Sequence, residues 1–334
     1  MAQQKIYIKT ATQISIQQPL SESWMNTPVY ATDEYMRSQD PNFRNWLPPL
    51  EARRMGKLMR RALVTALKAL RDAEVAKPDA IITGTGLGCI ENTELFLDQL
   101  CREGEEMLKP TYFMQSTHNT ISSLIGIKTK CHGYNSTYSH KSISFDSALF
   151  DAFVQMRLGD IQTALVTGND EMTPSYFKIL QRTGYVGQPQ QVAAGEASVA
   201  MLLTNNPENT LCEIENMKLS FDSISSEVSN GQVDAVVMGY NGNKENDAVY
   251  DKLRVSLPKV PILYYKHLFG ECYTSSALGI YVVAQLLSRG QCPTFLRHDD
   301  MDKPIDINRL LFVNHSDGQS FSFIVLNRVQ NPSL

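Results

Sequence analysis

Ser142 lies at a position where a side chain could do chemistry. It stands between a short predicted strand, residues 136–139, and a predicted helix that runs from about Ile143 to Leu158. Unpaired N–H groups and the positive end of the helix dipole face such a junction. Many enzymes place a nucleophile there, because developing negative charge is stabilised. Serine is also a favoured helix N-cap residue, so the local pattern supports a capping role as well as a nucleophilic one.

The stretch from Gly133 to Glu171 resembles the nucleophile region of the β-ketoacyl synthases. Those enzymes carry Gly-Pro-Asn, a strand, Thr-Ala-Cys-Ala and a helix that ends in Gly-Asp. Gly133 and Asn135 match the first part of this pattern, and Gly159-Asp160 and the run 168–171, Gly-Asn-Asp-Glu, match the last. The reactive cysteine of the family falls on Ser142.

Two further family motifs carry histidines, and both histidines are replaced in this chain. The first motif is His-Gly-Thr after a buried strand; here the strand 233–239 is followed by Tyr-Asn-Gly-Asn, so Asn241 falls on the histidine. The second motif is Lys-x-x-x-Gly-His; here Lys266 and Gly270 are kept, and Glu271 falls on the histidine. The C-terminal loop Asn-Ser-Phe-Gly-Phe-Gly-Gly becomes Asn-His-Ser-Asp-Gly-Gln-Ser, residues 314–320.

These replacements remove the groups that a condensing enzyme needs. A thiolate carries the acyl chain, and two imidazoles hold the thioester oxygen while malonyl loses carbon dioxide. An alcohol is a much weaker nucleophile near neutral pH and needs an adjacent base. An ionised glutamate only accepts hydrogen bonds and would repel the malonyl carboxylate. The resemblance therefore implies a degenerate active site at Ser142, Asn241, Lys266 and Glu271 that has lost condensation activity.

Three alternatives remain open. A divergent active synthase would use the spare imidazoles of His140, His267 or His315. A serine acyltransferase or thioesterase would use Ser142 as nucleophile, and we expect His140, two residues earlier, to share its face and act as base. A module that only binds an acidic carrier protein would use a basic surface on one helix. We expect that surface on the exposed side of the helix, at Arg53, Arg54, Lys57, Arg60 and Arg61.

The composition argues against several other functions. The 31 Lys+Arg and 35 Asp+Glu residues leave no basic field for nucleic acid. No apolar run reaches the roughly 18 residues that span a bilayer, and the first residues do not resemble a signal peptide. The six cysteines lack CxxC spacing, which is typical of free thiols in a reducing cytoplasm. We predict no metal, and the turn Gly84-x-Gly86-x-Gly88 departs from the dinucleotide motif, so we predict no cofactor.

The predicted elements alternate between strands and helices in two halves, residues 1–205 and 206–334. A strong amphipathic helix is predicted over residues 51–70. The predicted strands lie at residues 6–16, 79–84, 136–139, 164–168, 195–204, 212–218, 233–239, 261–265, 310–314 and 321–327, and further helices at 245–253 and 275–287. This alternation indicates a layered α/β architecture. The resemblance implies a thiolase-like, duplicated five-layer αβαβα fold, although no sequence repeat links the halves.

The resemblance also implies a biological role. Condensation-incompetent relatives include the chain-length factors, which pair with an active ketosynthase, help to shape its acyl tunnel and work with an acyl carrier protein. Small divergent members of this kind serve aryl-polyene and flexirubin-type pathways. Subunits of the family pair through the strand before the nucleophile, here residues 136–139. We therefore expect a heterodimer with a ketosynthase, or a homodimer when the chain is expressed alone.

Overall fold

The computed structural model describes residues 4–106, 108–221, 232–257, 259–298 and 303–329. Its strands are β1 (Ile6–Ile14), β2 (Ala80–Gly84), β3 (Tyr134–Tyr138), β4 (Thr163–Asp170), β5 (Ala197–Thr204), β6 (Cys212–Ser220), β7 (Ala235–Met238), β8 (Ile262–Tyr264), β9 (Gln291–Cys292), β10 (Ile305–Asp306), β11 (Arg309–Ser316) and β12 (Ser320–Arg328). Its α-helices are α1 (Pro49–Ala52), α2 (Lys57–Asp72), α3 (Ile90–Glu103), α4 (Pro110–Ser116), α5 (Thr120–Thr129), α6 (Ser144–Leu158), α7 (Pro174–Arg182), α8 (Lys244–Ser256), α9 (Lys266–Phe269) and α10 (Ser275–Arg289).

The two halves of the central sheet have the same topology. The strands run in the order β3-β2-β4-β5-β1-β6-β12-β11-β7-β8. In the first half, β3, β2 and β4 are parallel, and β5 and β1 follow antiparallel; in the second half, β8, β7 and β11 are parallel, and β12 and β6 follow antiparallel. Antiparallel pairing of β1 with β6 joins the halves. When the five strands of each half are numbered in chain order, both halves have the order 3-2-4-5-1 from the outer edge of the sheet to its centre. The topology therefore shows a duplication that no sequence repeat revealed.

Helices form three layers around the two half-sheets. The helices α6 and α10 lie in the middle and share one apolar cluster with both half-sheets, including Phe145, Val166 and Phe312. The helices α2 and α5 pack on the outer face of the first half-sheet, and α8 packs on the outer face of the second. This arrangement confirms the predicted five-layer αβαβα architecture.

The helix predicted over residues 51–70 is two helices, α1 and α2. Residues 53–56 separate them, and the side chain of Asn92 approaches Gly56 so closely that a Cβ atom there would lie 2.8 Å from Asn92 Nδ2. Glycine is also a poor residue for a helix interior. The apolar pattern on both sides of Gly56 therefore predicted helical structure correctly but did not show the break.

The prediction that Arg61 lies on the exposed side of this helix is wrong. Its side chain is 3% exposed and donates to Glu196 Oε2 at 2.9 Å and to Asp40. Glu196 also accepts from the backbone N–H of Ser38 and from the hydroxyl of Tyr35. Because burying an arginine requires paired charge, the partners decide where Arg61 lies. Of the other residues of the predicted basic surface, Arg53 and Arg54 are exposed, and Lys57 and Arg60 are half-buried.

The glycine-rich turn after β2 has an internal carboxylate as its partner. Asp170, the last residue of β4, accepts from the N–H groups of Gly86 at 3.0 Å and Leu87 at 2.8 Å. It also accepts from the hydroxyl of Thr85 at 3.1 Å. Burial raises the pKa of Asp170 to about 6, against the effect of these hydrogen bonds. The donors that a bound phosphate would need in this turn are already used.

Candidate functional site

The four predicted site residues line one cavity of about 330 Å³. Ser142 follows β3, Asn241 follows β7, and Lys266 follows β8, so each lies just beyond the carboxyl end of a parallel strand. Glu271 follows the short helix α9. The rest of the lining comes from Tyr185, Asn243, Glu245, Asn246, Val249, His315 and Asp317.

Ser142 lies inside a single 3-10 turn between β3 and α6, and it does not cap the helix. The hydroxyl of Ser144 accepts from the His140 N–H at 2.8 Å and donates to the Lys141 carbonyl at 2.6 Å. Ser142 Oγ instead lies 3.4 Å from the hydroxyl of Tyr185. Lys141, just before Ser142, has a left-handed backbone conformation with φ of +49°. The N-cap interpretation of Ser142 is therefore wrong, and Ser144 makes the backbone contacts.

Neither His140 nor His267 serves Ser142 in this arrangement. His140 is exposed, and its ring lies beside that of Phe221, with centroids 6.2 Å apart. His267 makes a 2.9 Å hydrogen bond from Nε2 to the Phe295 carbonyl and lines a different surface cavity. Among the described residues, no imidazole is hydrogen-bonded to Ser142 Oγ. Our expectation that His140 would act as the base of Ser142 finds no support in this geometry.

His315 does line the cavity, but both of its ring nitrogens are engaged. Nδ1 accepts from the Gly318 N–H at 3.3 Å, so Nε2 carries the proton and donates to the Asn246 carbonyl at 3.1 Å. Burial lowers the pKa of His315 to about 4, and the nearby Lys266 ammonium contributes in the same direction. His315 is therefore a neutral imidazole with neither nitrogen available to take a proton from Ser142.

The carboxylate of Glu271 binds the other two predicted residues. Lys266 Nζ lies 2.7 Å and Asn241 Nδ2 lies 2.6 Å from Glu271 Oε2. The Ser275 hydroxyl donates to Oε1 at 3.2 Å. All four side chains are buried. An ionised carboxylate accepts hydrogen bonds and donates none, so Glu271 draws the amide and the ammonium group toward itself.

The amide orientation of Asn241 is fixed on both sides. Its Oδ1 accepts from the Asn243 N–H at 3.0 Å and from Asn246 Nδ2 at 3.0 Å. Its Nδ2 faces Glu271, which can only accept. The amide is thereby held between the start of α8 and Glu271.

A close backbone approach places Glu271. Gly270 has φ of +82°, and a Cβ atom there would lie 2.8 Å from the Cα atom of Gly195. The Glu271 N–H donates to the Ala193 carbonyl at 2.8 Å, and the Gly195 N–H donates to the Glu271 carbonyl at 2.9 Å. Gly270, the glycine of the Lys-x-x-x-Gly motif, is therefore required for two reasons: its φ is positive, and there is no space for a Cβ atom.

Carboxylates predominate in the charged lining of the cavity. Glu245, Glu271 and Asp317 contribute three acidic groups, and Lys266 contributes one basic group, which Glu271 already binds. Lys141 forms an exposed 2.6 Å ion pair with Asp317. This distribution disfavours a second carboxylate, such as that of a malonyl group, inside the cavity.

Sequence reasoning missed several residues of this site. Tyr185 and Asn246 carry no motif that would mark them. Asn314 stands first in the C-terminal loop that departs from the family pattern, and its Nδ2 donates to the Ser142 carbonyl at 2.8 Å. Asp146, four residues after Ser142, accepts from the same Nδ2 at 3.0 Å. The match of Asn314 to the first residue of the family's C-terminal loop was the one sequence signal near any of these contacts.

No group of three or more His, Cys, Asp or Glu side chains in the described ranges is arranged to hold a metal ion. In the same ranges, no helix has the length and apolar character needed to cross a membrane.

Comparison with known proteins identifies the family. A family model described as the N-terminal domain of β-ketoacyl synthase matches residues 23–240. The 3-oxoacyl-[acyl-carrier-protein] synthase 2 of Staphylococcus aureus strain N315 is 23% identical over 177 residues. That match covers 51% of this chain and 39% of the staphylococcal enzyme, so the aligned part spans about two fifths of that relative's length.

Solved structures of ketosynthases share the fold over nearly the whole chain. The ishigamide ketosynthase/chain length factor has a TM-score of 0.80 and 16% identity, covering 98% of this chain and 100% of its own. The ketosynthase ApeO in complex with its chain length factor ApeC, from Xenorhabdus doucetiae, has a TM-score of 0.73 and 13% identity, covering 98% of both chains. At these identities the likeness establishes the thiolase-like ketosynthase fold.

Proposed function

Because the chain belongs to the β-ketoacyl synthase family, we propose that it is a condensation-incompetent subunit of chain-length factor type. It pairs with an active ketosynthase and contributes to the wall of the acyl tunnel in a fatty-acid, polyketide or aryl-polyene synthase. The observation that carries this proposal is the closed hydrogen-bond network of Lys266, Glu271 and Asn241 beside Ser142.

This network opposes the chemistry of condensation. Decarboxylation of malonyl leaves an enolate oxygen, which needs preorganised donors aimed at it. Here Lys266 and Asn241 each direct a donor at Glu271, and the carboxylate itself adds negative charge where the enolate would form. A transition state that gains negative charge would be destabilised at this position.

The surroundings of Ser142 also argue against catalysis. Ser142 has a phenol rather than an imidazole as the partner of its hydroxyl. Burial raises the pKa of Tyr185 well above its ordinary value, so the phenol stays protonated and cannot act as a base near neutral pH. This arrangement supports a Ser142 that is not acylated, and it gives no support to a serine acyltransferase or thioesterase.

The proposed partner contact is the outer edge of β3. This strand ends the central sheet and pairs on one side with β2. Tyr134 on β3 is 43% exposed. An exposed strand edge favours pairing with another strand, and obligate interfaces of this kind commonly bury more than about 2,000 Å². The complexes named among the similar structures, a ketosynthase with its chain length factor, make a ketosynthase the proposed occupant of this edge.

An acyl carrier protein is the second proposed partner. The exposed residues Arg53 and Arg54 follow α1, and the half-buried Lys57 and Arg60 lie in the first turn of α2. They form a basic surface in a chain whose formal net charge is −4, which suits an acidic carrier. The name of the staphylococcal relative includes the acyl carrier protein. Arg61 is not part of this surface, because it is buried against Glu196.

Co-expression with a ketosynthase that has an intact Cys/His/His set tests the proposal. We expect native mass spectrometry to show a one-to-one heterodimer, and we expect the pair to elongate carrier-bound acyl chains. Cysteine-to-alanine substitution in the partner should abolish product formation. Ser142→Ala in this chain should leave product formation unchanged. A chain that stays monomeric at micromolar concentration beside such a ketosynthase would contradict the proposal.

A further inference from the structure

Asp146 is a fully buried carboxylate in the first turn of α6, four residues after Ser142. Its Oδ2 accepts from Asn314 Nδ2 at 3.0 Å. The same nitrogen donates to the main-chain carbonyl of Ser142 at 2.8 Å. One amide group of β11 therefore joins the Asp146 side chain to the turn that carries Ser142.

The contacts of this pair extend across the second half of the molecule. The Tyr250 hydroxyl on α8 donates to Asn314 Oδ1 at 3.3 Å, which fixes the amide orientation. The hydroxyls of Ser276 on α10 and Ser322 on β12 lie near the Asp146 carboxyl. Burial raises the pKa of Asp146, while these donors and Asn314 oppose that shift. A side chain of the first half is thus bonded to β11 of the second half and lies near α10 and β12.

The turn that these contacts hold has an unfavourable backbone conformation. Lys141 lies in the left-handed region, which lysine rarely adopts. Such conformations persist when the surrounding structure holds them in place. The bond from Asn314 to the Ser142 carbonyl acts directly on this turn.

We propose that Asp146 is a positioning residue of the cavity: through Asn314, it holds the main chain of the Ser142 turn against the second half of the molecule. The proposal concerns this chain alone and holds whether or not the chain pairs with a ketosynthase. The hydrogen bonds of Asp146 account for this role, and its negative charge is not needed.

The conservative variant separates positioning from charge. In Asp146→Asn, the amide oxygen can still accept from Asn314, and the amide N–H groups can donate to the hydroxyls of Ser276 and Ser322. In Asp146→Ala, the bond from Asn314 Nδ2 is lost. A matched control is Asp79→Ala, which removes a carboxylate that binds backbone N–H groups at the opposite end of β2.

The test uses a Ser142→Cys background and measures the rate at which iodoacetamide alkylates the introduced thiol. Peptide mass spectrometry distinguishes that thiol from the native cysteines. We expect Asp146→Ala to speed alkylation about tenfold, because a released turn opens more often. Asp146→Asn and Asp79→Ala should stay within about twofold of the background, since neither releases the turn. Circular dichroism confirms that each variant is folded.

Two results would overturn the proposal. The first is a folded Asp146→Ala variant that alkylates at the background rate. The second is an Asp146→Asn variant that alkylates as fast as Asp146→Ala, which would assign the effect to charge. If Asp146→Ala does not fold, Asn314→Ala removes the bond to the Ser142 carbonyl from the other side. The same increase in rate is then expected, and an unchanged rate would overturn the proposal.

Discussion

Lys266 Nζ and Glu271 Oε2 lie 2.7 Å apart, and both side chains are almost completely buried. Removing one member of a buried ion pair leaves an uncompensated charge, whereas replacing both members with apolar side chains often costs little. The pair is therefore coupled in stability as well as in position.

We expect Glu271→Ala to lower the free energy of unfolding by about 3–5 kcal/mol, because Lys266 would lose its partner. The double variant Lys266→Met/Glu271→Leu should lose less than the single variant. Urea denaturation measures both. Glu245→Ala, at the exposed rim of the same cavity, is the control and should change the free energy of unfolding by no more than about 0.5 kcal/mol. A double variant that loses as much as the sum of the separate losses of Glu271→Ala and Lys266→Met would show that the two residues are not coupled.

Protonation of Glu171 should make the free energy of unfolding depend on pH. Burial raises the pKa of this carboxyl from 4.5 to about 7, against the hydrogen bond from the Glu91 N–H, and the charge of Glu196 contributes to the rise. The folded state therefore holds the proton more tightly than the unfolded state. The resulting stabilisation is full below about pH 4.5 and is lost as the pH rises through about 7.

Glu171→Gln should remove this dependence, since a glutamine carbonyl can still accept from the Glu91 N–H that Glu171 binds. Urea denaturation between about pH 5 and 8 should show the wild-type chain losing stability relative to Glu171→Gln as the pH rises. Glu245→Gln serves as the control and should follow the wild-type curve. A difference between Glu171→Gln and wild type that stays constant with pH would contradict the assignment.

Charge reversal tests the basic surface. We expect Arg53→Glu/Arg54→Glu to weaken carrier-protein binding about tenfold or more at low salt, with a smaller effect at high salt. Lys252→Glu/Arg254→Glu, two exposed basic residues on α8, makes the same charge change elsewhere and should have little effect. Surface plasmon resonance with immobilised carrier protein measures both. Equal weakening by the two double variants would show that only net charge matters.

A charge on the edge strand tests the proposed subunit contact. Tyr134→Glu places a carboxylate beside the outer edge of β3 and should weaken the heterodimer, because charged edges resist strand pairing. Tyr30→Glu is the control: Tyr30 is 52% exposed and Tyr134 is 43% exposed, and Tyr30 lies in a loop about a hundred residues before β3. Native mass spectrometry of the co-expressed pair reads out both. A heterodimer that survives Tyr134→Glu unchanged would argue for a different interface.

The sequence predicted the parts of the site that follow from strand ends. Asn241 and Lys266 each come directly after a short buried strand, so motif spacing placed them beside the turn of Ser142. The layered α/β architecture was likewise predicted from the alternation of strand patterns and helix patterns along the chain. Local pattern and topology agree at these positions.

The remaining features depend on contacts between residues far apart in the chain. Arg61 is buried because Glu196, 135 positions away, supplies the opposite charge. Asp146 meets Asn314 across 168 positions, and Ser142 meets Tyr185 across 43. Helical periodicity describes one face of one helix and contains no information about such partners. The duplication was predicted from the family resemblance and not from a sequence repeat, since topology is kept where side chains have diverged.

We propose above all that this chain does not catalyse condensation. The most direct measurement incubates the purified chain with an acyl carrier-protein thioester and malonyl carrier protein, and follows the β-ketoacyl product and released carbon dioxide by mass spectrometry and isotope counting. We predict no product and no decarboxylation above a protein-free control, for the wild-type chain and for Ser142→Cys alike, because Glu271 keeps the donors of Lys266 and Asn241. Formation of β-ketoacyl product by the wild-type chain alone, with loss of that product in Ser142→Ala, would contradict the account.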